Sequence, residues 1–265
     1  MRALELIGIS YLVILGYMTV GWLVSLIRRD ASVARVADVF WGLGFPMLAW
    51  VFFALTEGYL PRKLLVCVLA TVWGVRLASY IVVRTWGRGE DRRYQPMRDA
   101  SGESFWWTRY FQVFLLQGFL MGLIAAPLLA SQVYATPDRL TPLDVAGAAV
   151  WAIGLFFEAV GDWQLYLFKR DPANAGRVMR RGLWAYTRHP NYFGETLIWW
   201  GTFLIALSTP YGYWSVYGPI VITFLLLRVS GVTLLEKDLS ETKPGYREYM
   251  ETTSAFIPWF PRQPR

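Results

Sequence analysis

The chain has 265 residues, of which 55% are hydrophobic and only 17% are charged, and its mean hydropathy is +0.34. Soluble domains carry about 25% charged residues, so this composition excludes both a soluble globule and a disordered chain. The single cysteine, Cys67, and the single histidine, His189, exclude an internal disulfide framework and a multi-histidine metal centre, and we predict no metal site. The net charge of +7 fits basic loops beside a membrane better than a nucleic-acid surface. We therefore expect an all-α integral membrane protein.

Long apolar segments follow one another along the whole chain. A bilayer core of about 30 Å requires about 20 mostly apolar residues per helix. Seven segments meet this criterion and predict seven transmembrane helices in a single membrane domain, with an uncertainty of one because the sixth segment is short. They cover approximately residues 4–27, 33–56, 64–83, 110–135, 143–168, 194–209 and 214–235.

The basic residues are distributed unequally between the two sides of the predicted membrane. Nineteen Lys and Arg residues fall on the side that holds the C-terminal tail, against four on the other side. The positive-inside rule therefore predicts an outside N-terminus and a cytosolic C-terminus. The two long connections, residues 84–109 and 169–193, are then both cytosolic and long enough to carry a specialised function.

Ionisable side chains occur inside the predicted spans, where each costs about 2.5–3.5 kcal/mol on insertion scales unless it faces protein, water or ligand. In the predicted orientation these charges, with Tyr80, lie in the cytosolic half of the membrane or at its edge. This clustering predicts one site that is open to cytosolic water. The charged residues are Arg35, Asp38, Arg76, Glu158, Asp162 and Arg228, with Glu195 and Glu236 at the ends of spans six and seven.

Helical spacing groups some of these residues into two stripes. One stripe contains Arg76, Tyr80 and Arg84, and the other contains Glu158, Asp162 and Tyr166. Such stripes can also pair with each other simply to hold helices together. A channel or carrier is a further alternative, although a transport site would be expected nearer the bilayer midplane.

The segment from 182 to 195 reads GLWAYTRHPNYFGE and leads into the sixth span. Pro190 disfavours helix at His189, so a turn is predicted there, and a helix start offers backbone N–H groups suited to an anion. The cations of the surrounding loop make this region a candidate receptor for a phosphate-bearing cofactor. A basic loop that contacts anionic lipid headgroups explains the composition equally well. These cations are Lys169, Arg177, Arg180, Arg181 and Arg188.

The motif G-L-W-x-Y-x-R-H-P-N-Y-x-G-E resembles the C-terminal region of the steroid 5α-reductase family. The resemblance covers approximately residues 145–265, including the acidic pattern of span five and the tail motifs at 246–249 and 256–258. This region is also similar to that of sterol C14 reductases and isoprenylcysteine carboxyl methyltransferases. The segments DVFWG at 38–42 and GEDRRY at 89–94 resemble bacterial 5α-reductase-like membrane proteins. The resemblance implies a bacterial inner-membrane protein whose cofactor site faces the cytosol.

The activity that this resemblance implies is the NADPH-dependent reduction of the C4–C5 double bond of a 3-oxo-Δ4 steroid, or of a similar flat, apolar enone that enters from lipid. Residues 1–142 would form the substrate side, and residues 143–265 would form the cofactor side. The chain has Val232 and Glu236 where the steroid reductases have a His and a Tyr. The implied cofactor-binding residues are Glu158, Asp162, Lys169, Arg177, Arg188, His189, Asn191, Tyr192, Glu195 and Glu236.

A catalytic pair is expected on the early helices. Hydride addition to an enone produces an enolate, so hydrogen-bond donors are needed at the carbonyl oxygen. The family uses a Glu and a Tyr, and Asp38 and Tyr80 are the corresponding candidates here. Asp38 must stay protonated to donate a hydrogen bond. Burial favours the protonated form, whereas the positive charge of Arg35, one turn away, opposes it. Tyr80 could alternatively be a tyrosine of the interfacial aromatic belt.

Two other functions are compatible with the sequence. An S-adenosylmethionine-dependent methyltransferase of a lipid-like substrate would share the C-terminal motif. A non-enzymatic small-molecule carrier would use the polar stripes as its path. Asp38 and the resemblance of the front half favour the reductase over the methyltransferase.

Overall fold

A computed structural model describes residues 3–27, 33–85, 105–229 and 231–262. These residues are all-helical: 81% of them lie in helices and none lies in a strand. The predicted all-α class is therefore confirmed for the described part of the chain. The motif GEDRRY at 89–94 and the larger part of the long connection 84–109 lie outside the described residues.

Six helical stretches in the described residues are long and apolar enough to cross a membrane. The chain is accordingly described as a multipass membrane protein. The predicted sixth span corresponds to a helix of 17 residues, Pro190–Ala206, which is only about 25 Å long. Seven spans and their orientation are therefore not confirmed. The six stretches are Glu5–Ile27, Arg35–Leu55, Leu60–Thr85, Trp106–Val133, Pro142–Arg170 and Gly212–Thr242.

The chain divides into two compact units. The first unit comprises Met1–Leu140 and Thr209–Ser215, and the second comprises Thr141–Ser208 and Val216–Arg265. The helices of the first unit are α1 (Ala3–Ile27), α2 (Val33–Leu55), α3 (Leu60–Thr85), α4 (Phe105–Arg109), a π-helical segment (Tyr110–Leu115), α5 (Leu116–Ile124) and α6 (Ala126–Val133).

Within the first unit, α2 and α3 pack closely around a glycine contact. A Cβ atom on Gly74 would collide with the carbonyl oxygen of Gly42. Next to this contact the buried rings of Phe45 and Trp73 meet edge to face, with their centroids 5.5 Å apart. Arg62 is fully buried, and its guanidinium donates to the carbonyl oxygens of residues 137 and 139 at 3.2 and 2.8 Å. This buried arginine fixes the loop that follows α6.

The second unit is built on two long helices and a shorter C-terminal set. Its first helix begins with a capping box, in which the Thr141 hydroxyl accepts from the Asp144 N–H and the Asp144 carboxylate accepts from the Thr141 N–H. The helices are α7 (Pro142–Arg170), α8 (Pro190–Ala206), α9 (Tyr217–Phe224), a π-helical segment (Leu225–Val229), α10 (Val232–Thr242) and α11 (Tyr246–Thr252).

Helices α7 and α8 touch backbone to backbone at positions seven residues apart. A Cβ atom on Gly147 would lie 2.5 Å from the Gly201 carbonyl oxygen, and one on Gly154 would lie 2.6 Å from the Gly194 carbonyl oxygen. At the third step, Gly161 lies against Pro190 at the start of α8. Small residues allow membrane helices to approach this closely. The contact places the start of α8 beside the last third of α7.

Candidate cofactor-binding site

The polar end of the α7–α8 pair brings several of the predicted cofactor residues together. Asp162, only 4% exposed, accepts a hydrogen bond at Oδ1 from Nδ2 of Asn191 at 3.2 Å. Glu158 lies one turn earlier on α7, is 2% exposed, and its backbone lies against Gly194. Glu195 follows that glycine and is half-buried. Glu158, Asp162 and Asn191 thus lie together where the second half of α7 passes the start of α8.

This group has the chemistry of a site for a hydroxyl-rich ligand. Ionised carboxylates only accept hydrogen bonds, whereas the Asn amide both donates and accepts. Carboxylates buried among apolar helices are costly, so they are usually retained for a function or paired within the protein. The side chains of Glu158 and Asp162 both make interactions within the protein, and the Asp162–Asn191 bond is one of them.

Three other predicted residues form a buried ion-pair network. Glu236 of α10 accepts from Nε and Nη2 of Arg188 at 2.7 and 3.0 Å. Its Oε1 also lies 3.0 Å from Nε2 of His189. The His189 ring stacks on Tyr192, with an interplanar angle of 4° and a centroid separation of 5.4 Å. The structure therefore links the residues just before α8 to α10.

The same guanidinium also holds the C-terminal segment. Nη1 of Arg188 donates to the carbonyl oxygens of Met250 and Thr253 at 2.8 and 2.5 Å, and the Arg188 N–H donates to the Ser254 carbonyl oxygen. Arg188 therefore makes an ion pair and carbonyl hydrogen bonds within the chain. Its predicted contact with a cofactor phosphate stays a prediction and would have to compete with these partners.

The remaining predicted cations lie on the surface of the second unit. Lys169 is at the end of α7, and Arg177 is in the loop that follows; both side chains are exposed. Exposed cations of this kind can bind phosphate without first breaking a buried network. Among the predicted phosphate-binding residues, these two are better suited to the role than Arg188.

The predicted catalytic residues belong to the first unit, whereas all ten predicted cofactor residues belong to the second. Asp38 lies one turn before Gly42 on α2, and Gly42 packs beside Ala78, two residues before Tyr80 on α3. Asp38 and Tyr80 therefore lie at the same end of the α2–α3 pair, and both are half-buried. Their catalytic roles stay predictions.

The predicted stripe on α3 is present. The guanidinium carbons of Arg76 and Arg84 lie 5.6 and 5.3 Å from the centroid of the Tyr80 ring, one on each side along the helix. This contact is the cation–π arrangement that the i, i+4, i+8 spacing allows. Tyr80 is thus a phenol flanked by two positive charges.

The sequence analysis missed Gln164, and it did not predict the contacts that Gly182, Trp184 and Tyr249 of the recognised motifs make around the site. Gln164 accepts from the Leu183 N–H at 3.0 Å beneath Gly182, whose φ of +61° only glycine adopts readily. The Trp184 indole donates to the Gly161 carbonyl oxygen at 2.9 Å, and the Tyr249 hydroxyl donates to the Trp184 carbonyl oxygen. The signal for Gln164 was an amide in an otherwise apolar stretch of α7.

These features define a multipass α-helical membrane protein with a buried polar cluster at one end of a glycine-packed helix pair. The chain belongs to DUF1295, a protein family of unknown function that it matches over residues 21–253. This family lies in the steroid 5α-reductase-like superfamily.

Two curated proteins are similar to this chain. An uncharacterized protein of Schizosaccharomyces pombe is 24% identical over 235 residues, which cover 80% of this chain and 68% of that protein. A probable O-methyltransferase of Ustilaginoidea virens, ustE, is 32% identical over 93 residues, which cover 35% of this chain and only 33% of that protein. No solved structure matches at a significant level.

Proposed function

We propose that the protein is a membrane-embedded reductase that uses NADPH to saturate the C4–C5 double bond of a 3-oxo-Δ4 steroid or of a similar flat, apolar enone. In this reaction C5 of the enone gains a hydride and C4 gains a proton, and the products are the saturated ketone and NADP⁺. The proposal includes a seven-span topology in a bacterial inner membrane, with the N-terminus outside and the cofactor site facing the cytosol.

The observation that carries the proposal is the Asp162–Asn191 hydrogen bond beside buried Glu158. It joins the acidic residues of α7 to the N-x-x-G-E segment at the start of α8, which are two of the elements that resemble the steroid reductases. Membership of DUF1295 supports the same class, because that family lies in the steroid 5α-reductase-like superfamily.

The side chains of the second unit fit the chemical groups of NADPH. The carboxylates of Glu158 and Asp162 can accept hydrogen bonds from ribose hydroxyls, and the Asn191 amide can bind the carboxamide or a hydroxyl. The exposed cations Lys169 and Arg177 suit the phosphates. When bound, NADPH would supply the hydride.

Asp38 and Tyr80 are the proposed carbonyl donors. We assign Asp38 and the Tyr80 hydroxyl to the enone oxygen, where negative charge develops during hydride addition. The guanidinium groups of Arg76 and Arg84 beside the Tyr80 ring would favour the accumulation of negative charge near that hydroxyl.

The experiment is an NADPH oxidation assay on purified protein reconstituted in lipid. Consumption of NADPH is expected only when testosterone or progesterone is present, with the 5-reduced steroid formed in equal amount. Consumption without any enone, or binding of NADPH without reduction of either steroid or of simpler apolar enones, would contradict the proposal.

A methyltransferase is the second candidate, because part of the chain is similar to a probable O-methyltransferase. Its cofactor would be S-adenosylmethionine, which would occupy the same polar cluster and transfer a methyl group to a lipid-like acceptor. Thermal unfolding with each cofactor separates the two candidates. Stabilisation by NADPH alone supports the reductase, and stabilisation by S-adenosylmethionine alone supports the methyltransferase.

A further inference from the structure

The segment that follows α11 is fixed to the protein by its backbone and yet exposes large apolar side chains. The Trp259 N–H donates to the Tyr186 carbonyl oxygen at 2.9 Å, and the Arg262 N–H donates to the Thr252 carbonyl oxygen at 2.8 Å. Ile257, Trp259 and Phe260 are nevertheless 65%, 67% and 74% exposed. With Tyr186, whose ring contacts that of Phe260 at 6.1 Å, they form what we name the C-terminal aromatic patch.

Contacts to α7 fix the height of this patch along the helix axis. Phe256 packs on Phe193 with a centroid distance of 5.9 Å, and Phe193 packs on Phe157 of α7 at 5.1 Å. The loop before α8 is fixed at a similar height, because the Trp184 indole donates to the Gly161 carbonyl oxygen. The C-terminal aromatic patch is therefore level with residues 157–161 of α7.

That height lies within the part of α7 that exposes apolar side chains. Exposed apolar side chains continue along α7 beyond residue 161, so the helix still presents an apolar surface above and below the patch. Trp163 stacks on Tyr166, and these two residue types are enriched at membrane–water interfaces. The exposed apolar residues of α7 are Leu143, Val145, Ile153, Phe156, Trp163 and Leu167.

Positive charges lie close to the patch in the sequence. Arg262 lies two residues after Phe260, and Arg181 precedes Tyr186 by five residues; both side chains are exposed. Aromatic rings combined with arginines suit the layer in which acyl chains meet lipid phosphates. A patch that faced only water would leave more than half of each of three large apolar side chains solvated.

From this combination we infer that the C-terminal aromatic patch is a membrane-interface anchor, and that its occupant is the phospholipid of the bilayer crossed by α7. Ile257, Trp259 and Phe260 insert into the interfacial layer, and the arginines contact lipid phosphates. Because residues 250–254 accept hydrogen bonds from Arg188, the anchor also connects the lipid to the start of α8. The inference depends on the membrane location of the chain and not on the reaction it catalyses.

The test places an environment-sensitive fluorophore on the patch in the full-length protein. Phe260→Cys is labelled with a nitrobenzoxadiazole dye after reconstitution in phosphatidylcholine–phosphatidylglycerol vesicles; native Cys67 is buried, and a Cys67→Ser background excludes labelling there. Glu251→Cys, at an exposed charged position of α11, is the matched control. Ile257→Cys provides a second site if the first variant does not fold.

The anchor predicts a blue-shifted emission at position 260 and strong quenching by lipids that carry a nitroxide near the headgroup. Aqueous iodide should quench position 260 weakly and position 251 strongly. Equal quenching of both positions by iodide would overturn the inference. A second result would also overturn the inference: protection of position 260 from iodide that is lost when the protein is diluted in lipid. In that case the patch would contact a second copy of the chain.

Discussion

Glu236 binds both Nε and Nη2 of Arg188, at 2.7 and 3.0 Å, although the two residues are 48 positions apart in the chain. Both are buried, and the same carboxylate also lies 3.0 Å from the His189 ring. This pair joins α10 to the residues just before α8. Its geometry is the bidentate form that makes arginine–carboxylate contacts specific.

The first prediction concerns this buried pair. Replacement of Glu236 by Gln leaves the Arg188 charge buried without its counter-charge, so we expect the free energy of unfolding to fall by about 3–5 kcal/mol. Thermal unfolding of the purified protein in detergent measures the loss. The control is Glu248→Gln, which breaks the exposed Arg180–Glu248 pair and should change stability little. Equal effects of the two variants would contradict a structural role for the buried pair.

The second prediction concerns the glycine contacts between α7 and α8. In Gly154→Ala the new methyl group would meet the Gly194 carbonyl oxygen at 2.6 Å, so the helices must separate. Overpacking of this kind costs about 1–3 kcal/mol. Gly8→Ala on α1 is the matched control, because nothing lies within 4 Å of its added Cβ atom. A Gly154 variant as stable as the Gly8 variant would show that the close contact is not needed.

The third prediction concerns the polar end of the same helix pair. Asp162→Asn removes the charge but keeps the side-chain shape, and Asn191→Ala removes the amide. A hydrogen bond to a charged group contributes about 1.5–3 kcal/mol, so each variant should weaken NADPH binding roughly ten- to hundredfold. Calorimetric titration with NADPH measures the change. Asp238→Asn, at an exposed position of α10, should bind normally. Unchanged affinity in both site variants would exclude this cluster from cofactor binding.

The fourth prediction tests whether the Tyr80 hydroxyl takes part in the reaction or Tyr80 has only a structural role. Tyr80→Phe keeps the ring between Arg76 and Arg84 and removes only the hydroxyl. Loss of one oxyanion donor typically lowers kcat by about 10²–10³, and Asp38→Ala should act in the same direction. The control, Tyr166→Phe, removes a hydroxyl that accepts from Arg170 at 3.3 Å. Steroid-dependent NADPH oxidation should be normal in that variant, and full activity of both first-unit variants would remove them from the mechanism.

The fifth prediction is a pH dependence at the surface of the second unit. Hydrogen bonding to Arg180 and its positive charge lower the pKa of Glu248 below the ordinary value of 4.5. A lowered carboxyl pKa contributes stability that is present above pH 4.5 and is lost as the pH falls through the lowered value. The small difference in Tm between the native protein and Glu248→Gln should therefore exist at neutral pH and vanish on acidification. A difference that grows in acid would contradict this sign.

Much of the fold follows from local patterns in the sequence. Long apolar segments predicted the membrane helices, and Pro190 predicted the turn before α8, which begins at that residue. The spacing of Arg76, Tyr80 and Arg84 predicted one stripe, and the structure shows it as two cation–π contacts because one helix determines all three positions. The 17-residue length of α8 explains why the predicted sixth span, and with it the count of seven, is not confirmed.

Contacts between distant segments could not be predicted in the same way. Glu236 and Arg188 were both selected as cofactor ligands, but nothing in either local pattern indicates that they bind each other. The sequence shows that α7 and α8 contain glycines, but it does not show that these glycines pack against each other, because that depends on which helix lies opposite. The tyrosines of α11 belong to a recognised motif, yet their burial, which raises the pKa of Tyr246 to about 12, depends on the packing of the tail.

The seven-residue spacing of the α7–α8 glycine contacts fixes how far along each other the two helices lie. A shift of one helix along the other by a single residue would place side chains where the glycines now allow close contact. Glycine would face the opposite backbone again only after a shift of seven residues. A heptad corresponds to a shift of about 10 Å along the helix axis, so the observed alignment has no near neighbour with the same glycine contacts. The close glycine contacts of the α7–α8 pair therefore determine that Asn191 of α8 lies opposite Asp162.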